Sequence, residues 1–494
     1  MKNEMNRRIL SLSLVLVMLF SSLAAMVACS DDTASGGSDT DAAGETVAAG
    51  DDETVAEETT SGLSTVERKD FEQYEFKIVT TNQDKRQIDV IAEELTGSTL
   101  NDLVYERNMR IEEMFNIKIV AEEMDFGQIN TLVQTTAMAN DNPYDLYMTN
   151  ATGHTLASGG SLLAFNKIPG IDTTQPWWDQ TAVKGMSVGG NIYMLTGDIT
   201  PTGLLTSECV LFNKRLLDNI QVEYPYQMAF DGKWTHDAMY TIANDLSQDV
   251  DGDGVIDTTN DIYAMTAWTD YGEAMFYGAG GRMTGKDDSD YPTLAWDIDK
   301  YTAIYDKIHR LFVLNNGNYG TSGHEHTFKI FNEGRAYFCG ITFQKIEMFL
   351  RDMEDDYGVL PIPKFDENQA NYATCVSGAG TLIVVPKSTQ ELEIVGTITE
   401  ALAASAYDMI TPSLYEVVAS TKNVRDNDSS RMVQMIIRNR VFDMAHMFYF
   451  TGSTFTSTLL NQKSTDVASY FAKMEKVATM EIDKLIKNYT ENNS

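Results

Sequence analysis

Apolar positions recur along this chain in two rhythms, one of period two and one of period three to four. Residues 76–80 read FKIVT, a short apolar strand, and Leu100, Leu103, Val104, Ile111, Met114 and Phe115 then follow at the spacing of a helix face. Residues 117–121, IKIVA, form a second strand, so strand, helix and strand succeed one another as in a βαβ unit. A helix over residues 128–140 leads into a third strand at 144–148. Further strands are expected at residues 208–213, 262–267, 336–340 and 381–385, and from Glu391 onward the pattern is mostly helical, as at 432–444 and 467–487. The fold class is therefore α/β with doubly wound sheets. Ligands of such sheets sit beyond the strands' carboxyl ends, which makes Asn82, after the first strand, and Thr149 and Asn150, after the third, candidate contacts.

The N-terminus has a different pattern. Lys2, Arg7 and Arg8 precede residues 9–28, a run without charge that ends in Met26-Val27-Ala28 just before Cys29. That arrangement is a signal peptide over residues 1–28, although the run is also long enough for a retained anchor helix. Small residues directly before a cysteine resemble a bacterial lipobox, with Met26 where the pattern prefers Leu. The resemblance implies cleavage before Cys29, palmitate-type acylation of its thiol, and a body tethered to the extracellular face of the bacterial cell membrane. Residues 29–67 hold eleven acids, no Lys or Arg before Arg68, and few large apolar side chains. Such a segment cannot bury enough surface to offset the cost of ordering, and is expected to be a flexible acidic tether.

Net charge narrows the partners. The 494 residues carry 72 acids against 37 bases, a formal charge of −35, which opposes phosphate backbones and argues against DNA or RNA. Removing the leader's three bases and one acid, and then the tether's eleven acids, still leaves −26 on the body. Besides Cys29 there are Cys209, Cys339 and Cys375, widely spaced and without zinc-site spacing, so buried thiols are expected.

The sharpest local motif is the acidic loop Asp249, Asp251, Asp253, Val255, Asp257 and Asp261. Alternating carboxylates on a tight turn supply the hard oxygen donors that calcium needs, with the Val255 carbonyl turned inward. It resembles an EF-hand loop, except that Asn260 stands where a bidentate Glu is expected and Asp261 comes one place late. Structural Ca2+ is expected here, with a solvated acidic turn as the plainer alternative; no organic cofactor is indicated. His324-Glu325-His326 lacks a third metal ligand and reads as a solvated loop, as do the charge runs at 287–290 and 351–356. Trp234 reads as core packing, with Thr235 as a helix N-cap.

Several landmarks appear in a particular order: Glu94-Leu95-Thr96-Gly97, Gly160-Ser161-Leu162-Leu163, Pro176-Trp177-Trp178-Asp179, Asn191-Ile192-Tyr193, Gly232-Lys233-Trp234-Thr235, Phe331-Asn332-Glu333-Gly334-Arg335 and Gly358 to Lys364. In this order they resemble the extracellular solute-binding lipoproteins of ABC importers, family 1, of the maltose-binding kind. The resemblance implies a two-lobe fold of type II, each lobe a doubly wound sheet flanked by helices, with a cleft and three hinge crossings. By position the crossings fall near 202–206, near Cys339 and near Leu402. Lobe one is then residues 68–203 plus 340–402, and lobe two 204–339 plus 403–494. The implied role is capture of a small-molecule solute, chiefly a carbohydrate or oligosaccharide, for delivery to ABC permease subunits by a monomeric receptor that is no enzyme. A peptide or other nutrient, a sensor role and a surface glycoside hydrolase are the alternatives.

Aromatic faces suit sugar rings, and acids suit their hydroxyls. On that basis Trp177, Trp268 and Tyr271 are candidate platforms and Asp198, after a strand, a candidate polar contact. Phe343 is a candidate because related receptors place an aromatic contact where the chain recrosses the cleft.

Overall fold

The computed structural model describes residues 61–320, 323–419 and 426–492. The expected signal peptide, Cys29 and the tether up to residue 60 lie outside the described residues. The tether's far end is corrected. Ser61 Oγ and the backbone N–H groups of Gly62 and Leu63 all donate to the Asp408 carboxylate, and Leu63 is buried. Leu63, with Val66 packed against the same core, thus recruits the last residues of the acidic stretch into the body.

Phe76 and Ile78 on the strand Tyr74–Thr80 are sealed from solvent, as is Leu146 beside them. Parallel pairing joins this strand to Ile117–Glu123 on one side and to Leu146–Thr149 on the other. Leu382–Val384 then adds to Leu146–Thr149 antiparallel, closing a four-stranded sheet. The connecting helices are fixed by their ends. Thr99–Phe115 buries Val104, Ile111 and Phe115 along one face and stops at Asn116 in the left-handed region. Phe126–Ala139 starts with a capping box, in which Asp125 accepts from Gly127 N–H and Gln128 answers the Asp125 N–H.

A second sheet of five strands runs Tyr357–Leu360, Glu208–Asn213, Ala336–Thr342, Tyr263–Trp268, Asn318–Gly320. Its central strand Ala336–Thr342 is buried throughout. It pairs antiparallel with Glu208–Asn213 and parallel with Tyr263–Trp268. Gly340 has to be glycine there, because a Cβ would lie 2.4 Å from the Tyr271 ring. Two α/β layers with separate sheets make the two lobes of a type II binding fold.

The chain crosses first through residues 200–207, where Pro201–Leu204 forms one helical turn. The expected second crossing at Cys339 is displaced. Tyr357–Leu360 pairs with Glu208–Asn213, so the chain stays with the second sheet after Gly340 and returns only at residues 377–381. A fully buried strand cannot leave its sheet midway. The third crossing lies inside the helix Leu392–Ala419, which holds Leu402 in the first-lobe core and Leu414 in the second-lobe core. The passage therefore falls beyond Ile410 rather than at Leu402. Pro412, inside this helix, has no N–H to give the Asp408 carbonyl.

Several local expectations hold. Trp234 is buried with its indole N–H on the Pro361 carbonyl at 2.9 Å, and Thr235 caps its helix through the Ala238 N–H. Cys209, Cys339 and Cys375 are free, buried thiols. The expected helix 432–444 instead ends at Arg438, and Arg440–Val441 pairs as a strand with Thr374–Cys375.

Candidate functional site

Between the sheets lies a cavity of about 190 Å3 whose walls come from both lobes and from two of the crossings. The first lobe contributes Asp84 and Arg86, on the turn that follows the strand Tyr74–Thr80. Thr206 comes from the first crossing, Glu208 from the start of the strand that follows it, and Ser377 and Ala379 from the second crossing. The second lobe supplies Trp268 and Asp270 from the end of one strand and Thr342, Gln344 and Lys345 from the end of the next. These positions follow from the fold, since loops beyond the carboxyl ends of strands face the cleft.

The turn carrying Asp84 and Arg86 is held from behind. Asp89, wholly buried, accepts from the Thr202 N–H at 2.8 Å and hydroxyl at 2.5 Å, and its carbonyl takes Arg107 Nη2 at 2.7 Å. Burial raises the Asp89 carboxyl to about 6, against the pull of Thr202 and Arg107. Asp84 and Lys85 both take positive φ, 53° and 60°, so the chain doubles back tightly before Arg86. From the other lobe Gln344 Nε2 donates to the Asp84 carbonyl at 3.0 Å, and Lys345 Nζ stands 3.8 Å from the Asp84 carboxylate.

The opposite wall is acidic and aromatic. Glu208 opens its strand almost without exposure, and burial first, then the nearby Asp270, pushes its carboxyl well above the usual range, with Lys345 pulling the other way. Asp270 is open to water, yet the protein ringing it also raises its carboxyl. Trp268 meets His324 edge-on at 4.1 Å, and His324 packs onward against Phe328 and Phe349. His324 is therefore a half-buried member of the cleft wall at the start of the helix His324–Asn332, not part of a solvated loop.

The sequence candidates divide. Trp268 lines the cavity. Tyr271 does too, but it is 1% exposed, and its hydroxyl is committed to the Cys209 carbonyl at 2.7 Å, so it shapes the wall. Asn82 is exposed at the head of the Arg86 turn and outside the cavity, two to four residues short of the side chains that line it. Asn150 spends its Oδ1 on Thr152, capping a turn, while its neighbour Ala151 bonds Gly378 in the second crossing. Phe343 is buried and faces a second, more apolar recess of about 290 Å3, leaving Gln344 and Lys345 to the cleft.

Trp177 and Asp198 belong to the core. The indoles of Trp177 and Trp178 donate to the two oxygens of Glu400, at 3.1 and 3.0 Å. Asp198 is buried beneath the helix Leu392–Ala419 and accepts from Thr411 Oγ1. Sequence reasoning missed Arg86, Glu208 and Asp270; the rule that pointed to Asn82 leads to the Arg86 turn if extended by one turn of chain. In the run 287–290 the first three residues are exposed, as expected of a solvated face, and Asp290 is the exception. Asp290 accepts from Ser187 Oγ at 3.0 Å and the Gly190 N–H at 2.9 Å, bonding the hairpin of the second lobe to the first.

In the acidic loop the carboxylates of Asp249, Asp251 and Asp253 offer oxygens within 4.8 Å of one another. Each also accepts loop N–H groups, Asp249 from Gly252 and Gly254, Asp251 from Asp253, and Asp253 from Val255. Asp261 accepts from the Val250 and Asp257 N–H groups, and Asp257 accepts from Thr259 N–H.

A cleft between two α/β lobes joined by three crossings defines a ligand-binding protein that encloses its solute. The sequence profile of bacterial extracellular solute-binding proteins matches residues 92–405, and the chain belongs to that family. Solved structures agree on the fold. A cyclo/maltodextrin-binding protein in complex with maltotetraose is 13% identical, with a TM-score of 0.53 over 82% of this chain and 98% of its own. The GacH receptor of Streptomyces glaucescens, solved unliganded and with acarbose, is 15% identical, with a TM-score of 0.52 over 84% of this chain and 99% of its own. UgpB from Mycobacterium tuberculosis, solved with glycerophosphocholine, is 15% identical, with a TM-score of 0.53 over 83% of this chain and 99% of its own. Among curated proteins none matches the sequence.

Buried acids give this body a distinctive pH response. Burial raises Asp198 and Glu400 to about 7, above their unfolded values, so the folded chain keeps protons that the unfolded chain has lost. Their contribution to stability is full below about pH 4 and is lost as pH rises through about 7. Melting temperatures of the wild type and Asp198→Asn across this range should differ in slope, with the variant falling less. Parallel curves would mean that Asp198 is ionised in the folded state.

Proposed function

We propose that this protein is a lipid-anchored extracellular receptor that captures a carbohydrate or oligosaccharide and presents it, lobes closed, to an ABC permease. The observation that supports this most is the composition of the cleft. An indole at Trp268 offers an apolar platform for a sugar ring, and Glu208, Asp270, Thr206, Thr342 and Gln344 offer the hydrogen-bonding groups that hydroxyls require. The two sugar-complexed relatives of the same fold, one with maltotetraose and one with acarbose, support the same reading. No chemical step is needed for this role, because binding energy goes into shifting the balance between open and closed lobes.

A purified full-length chain screened with mono- and oligosaccharides, amino acids and short peptides tests it. A sugar at a hundred times its dissociation constant should stabilise the fold by about 2.7 kcal/mol. Trp268→Ala should weaken that sugar by roughly tenfold to a hundredfold, the loss of one stacked ring. Release of shorter products from a bound oligosaccharide would point to a hydrolase instead.

The loop at Asp249, Asp251 and Asp253 supplies hard carboxylate oxygens of the kind Ca2+ takes, and the remaining ligands would come from carbonyls or water. Calcium there would staple the second lobe without touching solute. Millimolar calcium should raise the melting temperature, and Asp251→Asn with Asp253→Asn should abolish the rise; magnesium serving equally well would argue against a calcium site.

Attachment through Cys29 completes the role. Among the described residues no helix is long and apolar enough to cross a membrane. Labelling cells with an alkyne fatty acid should tag the wild type and not Cys29→Ser, which should appear in the medium. A variant that stays in the membrane fraction would favour an uncleaved anchor helix.

A further inference from the structure

Arg86 is a buried cation with donors to spare. Its side chain is 2% exposed, and among the described residues its Nη2 reaches only the Asp84 carboxylate at 3.3 Å and its Nε and Nη1 have no partner. The guanidinium carbon lies 5.5 Å from the Phe126 ring centre, so one side of the group is apolar, while the residue lines the cleft cavity. A guanidinium presents five N–H donors in a planar fork, and burying them unmatched is costly. The carboxylates acting on it are those of Asp84 and Asp89. Asp84 is shared between Arg86 and Lys345, so two cations from opposite lobes meet one carboxylate. Farther along the same cavity burial, and then Asp270, pushes the Glu208 carboxyl up.

We propose that the solute is an acidic saccharide, whose carboxylate or phosphate docks against Arg86 and Lys345 while its ring lies toward Trp268. The inference rests on the carbohydrate reading of the cleft and adds to it the charge of the cargo. An anionic oxygen pair fits the planar fork of Arg86 in a way that a lone sugar hydroxyl does not. Because Arg86 belongs to the first lobe and Lys345 to the second, an anion between them would also replace Asp84 as the link across the cleft, and so favour closure.

The test uses the full-length chain and calorimetric titration with matched sugars: glucose, glucuronate and glucose 6-phosphate, then maltotetraose beside a galacturonate oligomer. At least one acidic member should bind about tenfold or more tighter than its neutral counterpart. Arg86→Gln and, separately, Lys345→Gln should bring the two within about twofold. Preference for the uronates would assign a carboxylate, and preference for glucose 6-phosphate a phosphate. Neutral sugars bound as tightly as acidic ones, or an acid preference that survives both variants, would overturn the inference while leaving a carbohydrate receptor. Inorganic phosphate or succinate bound through Arg86, with every saccharide silent, would instead overturn the carbohydrate reading and with it the acidic saccharide. Silence from every acidic member also overturns it. Lys345→Gln, at a more accessible position than Arg86, keeps the test alive should Arg86→Gln fail to fold.

Discussion

The geometry of the cleft depends on a single buried carboxylate. Asp89 takes both donors of Thr202 in the first crossing, and through its carbonyl it holds Arg107 in the helix Thr99–Phe115. One residue thus ties the turn that carries Asp84 and Arg86 to a helix behind it and to the hinge beside it. The arrangement works only as a set. A carboxylate and a guanidinium that are both wholly buried are each expensive, and losing either partner would leave the other uncompensated. The left-handed pair Asp84 and Lys85 persists because this anchor fixes the chain immediately after it.

Polar groups with such anchoring are distributed unevenly. In the lobes several buried acids have protein partners: Glu400 two indoles, Asp198 Thr411, and Asp443 the Thr284 hydroxyl with the Met283 and Thr284 N–H groups, although Glu273 keeps one oxygen unmatched. At the cleft Arg86 keeps Nε and Nη1 without a partner among the described residues, and Glu208 and Asp270 line the same cavity.

Much of this was legible in the sequence. The strand Glu208–Asn213 falls where apolar alternation put it, and the helix after Trp234 starts at the expected cap. Trp268 could be found because it ends an apolar strand, and the strand's carboxyl end faces the cleft. What escaped was non-local. Trp177 looked like a sugar platform because its partner, Glu400, lies 223 residues away. The second crossing was set too early because nothing in residues 357–360 announces that they pair with residues 210–213. Arg86 was hidden by its neighbours: in Gln83-Asp84-Lys85-Arg86-Gln87 a run of polar residues looks like a solvated turn, and only the fold shows that one of them turns inward.

The third crossing has a mechanical meaning. Two of the links between the lobes are short irregular stretches, but the last is a helix continuous from Leu392 to Ala419. A rod that passes from one body into the other resists sliding and stretching, and its compliant point is where the ladder lacks a rung, at Pro412. The lobes are left with something close to one degree of freedom, a flexure about that point. A partner that senses the angle at any one place along the rim thereby senses the whole of the closure.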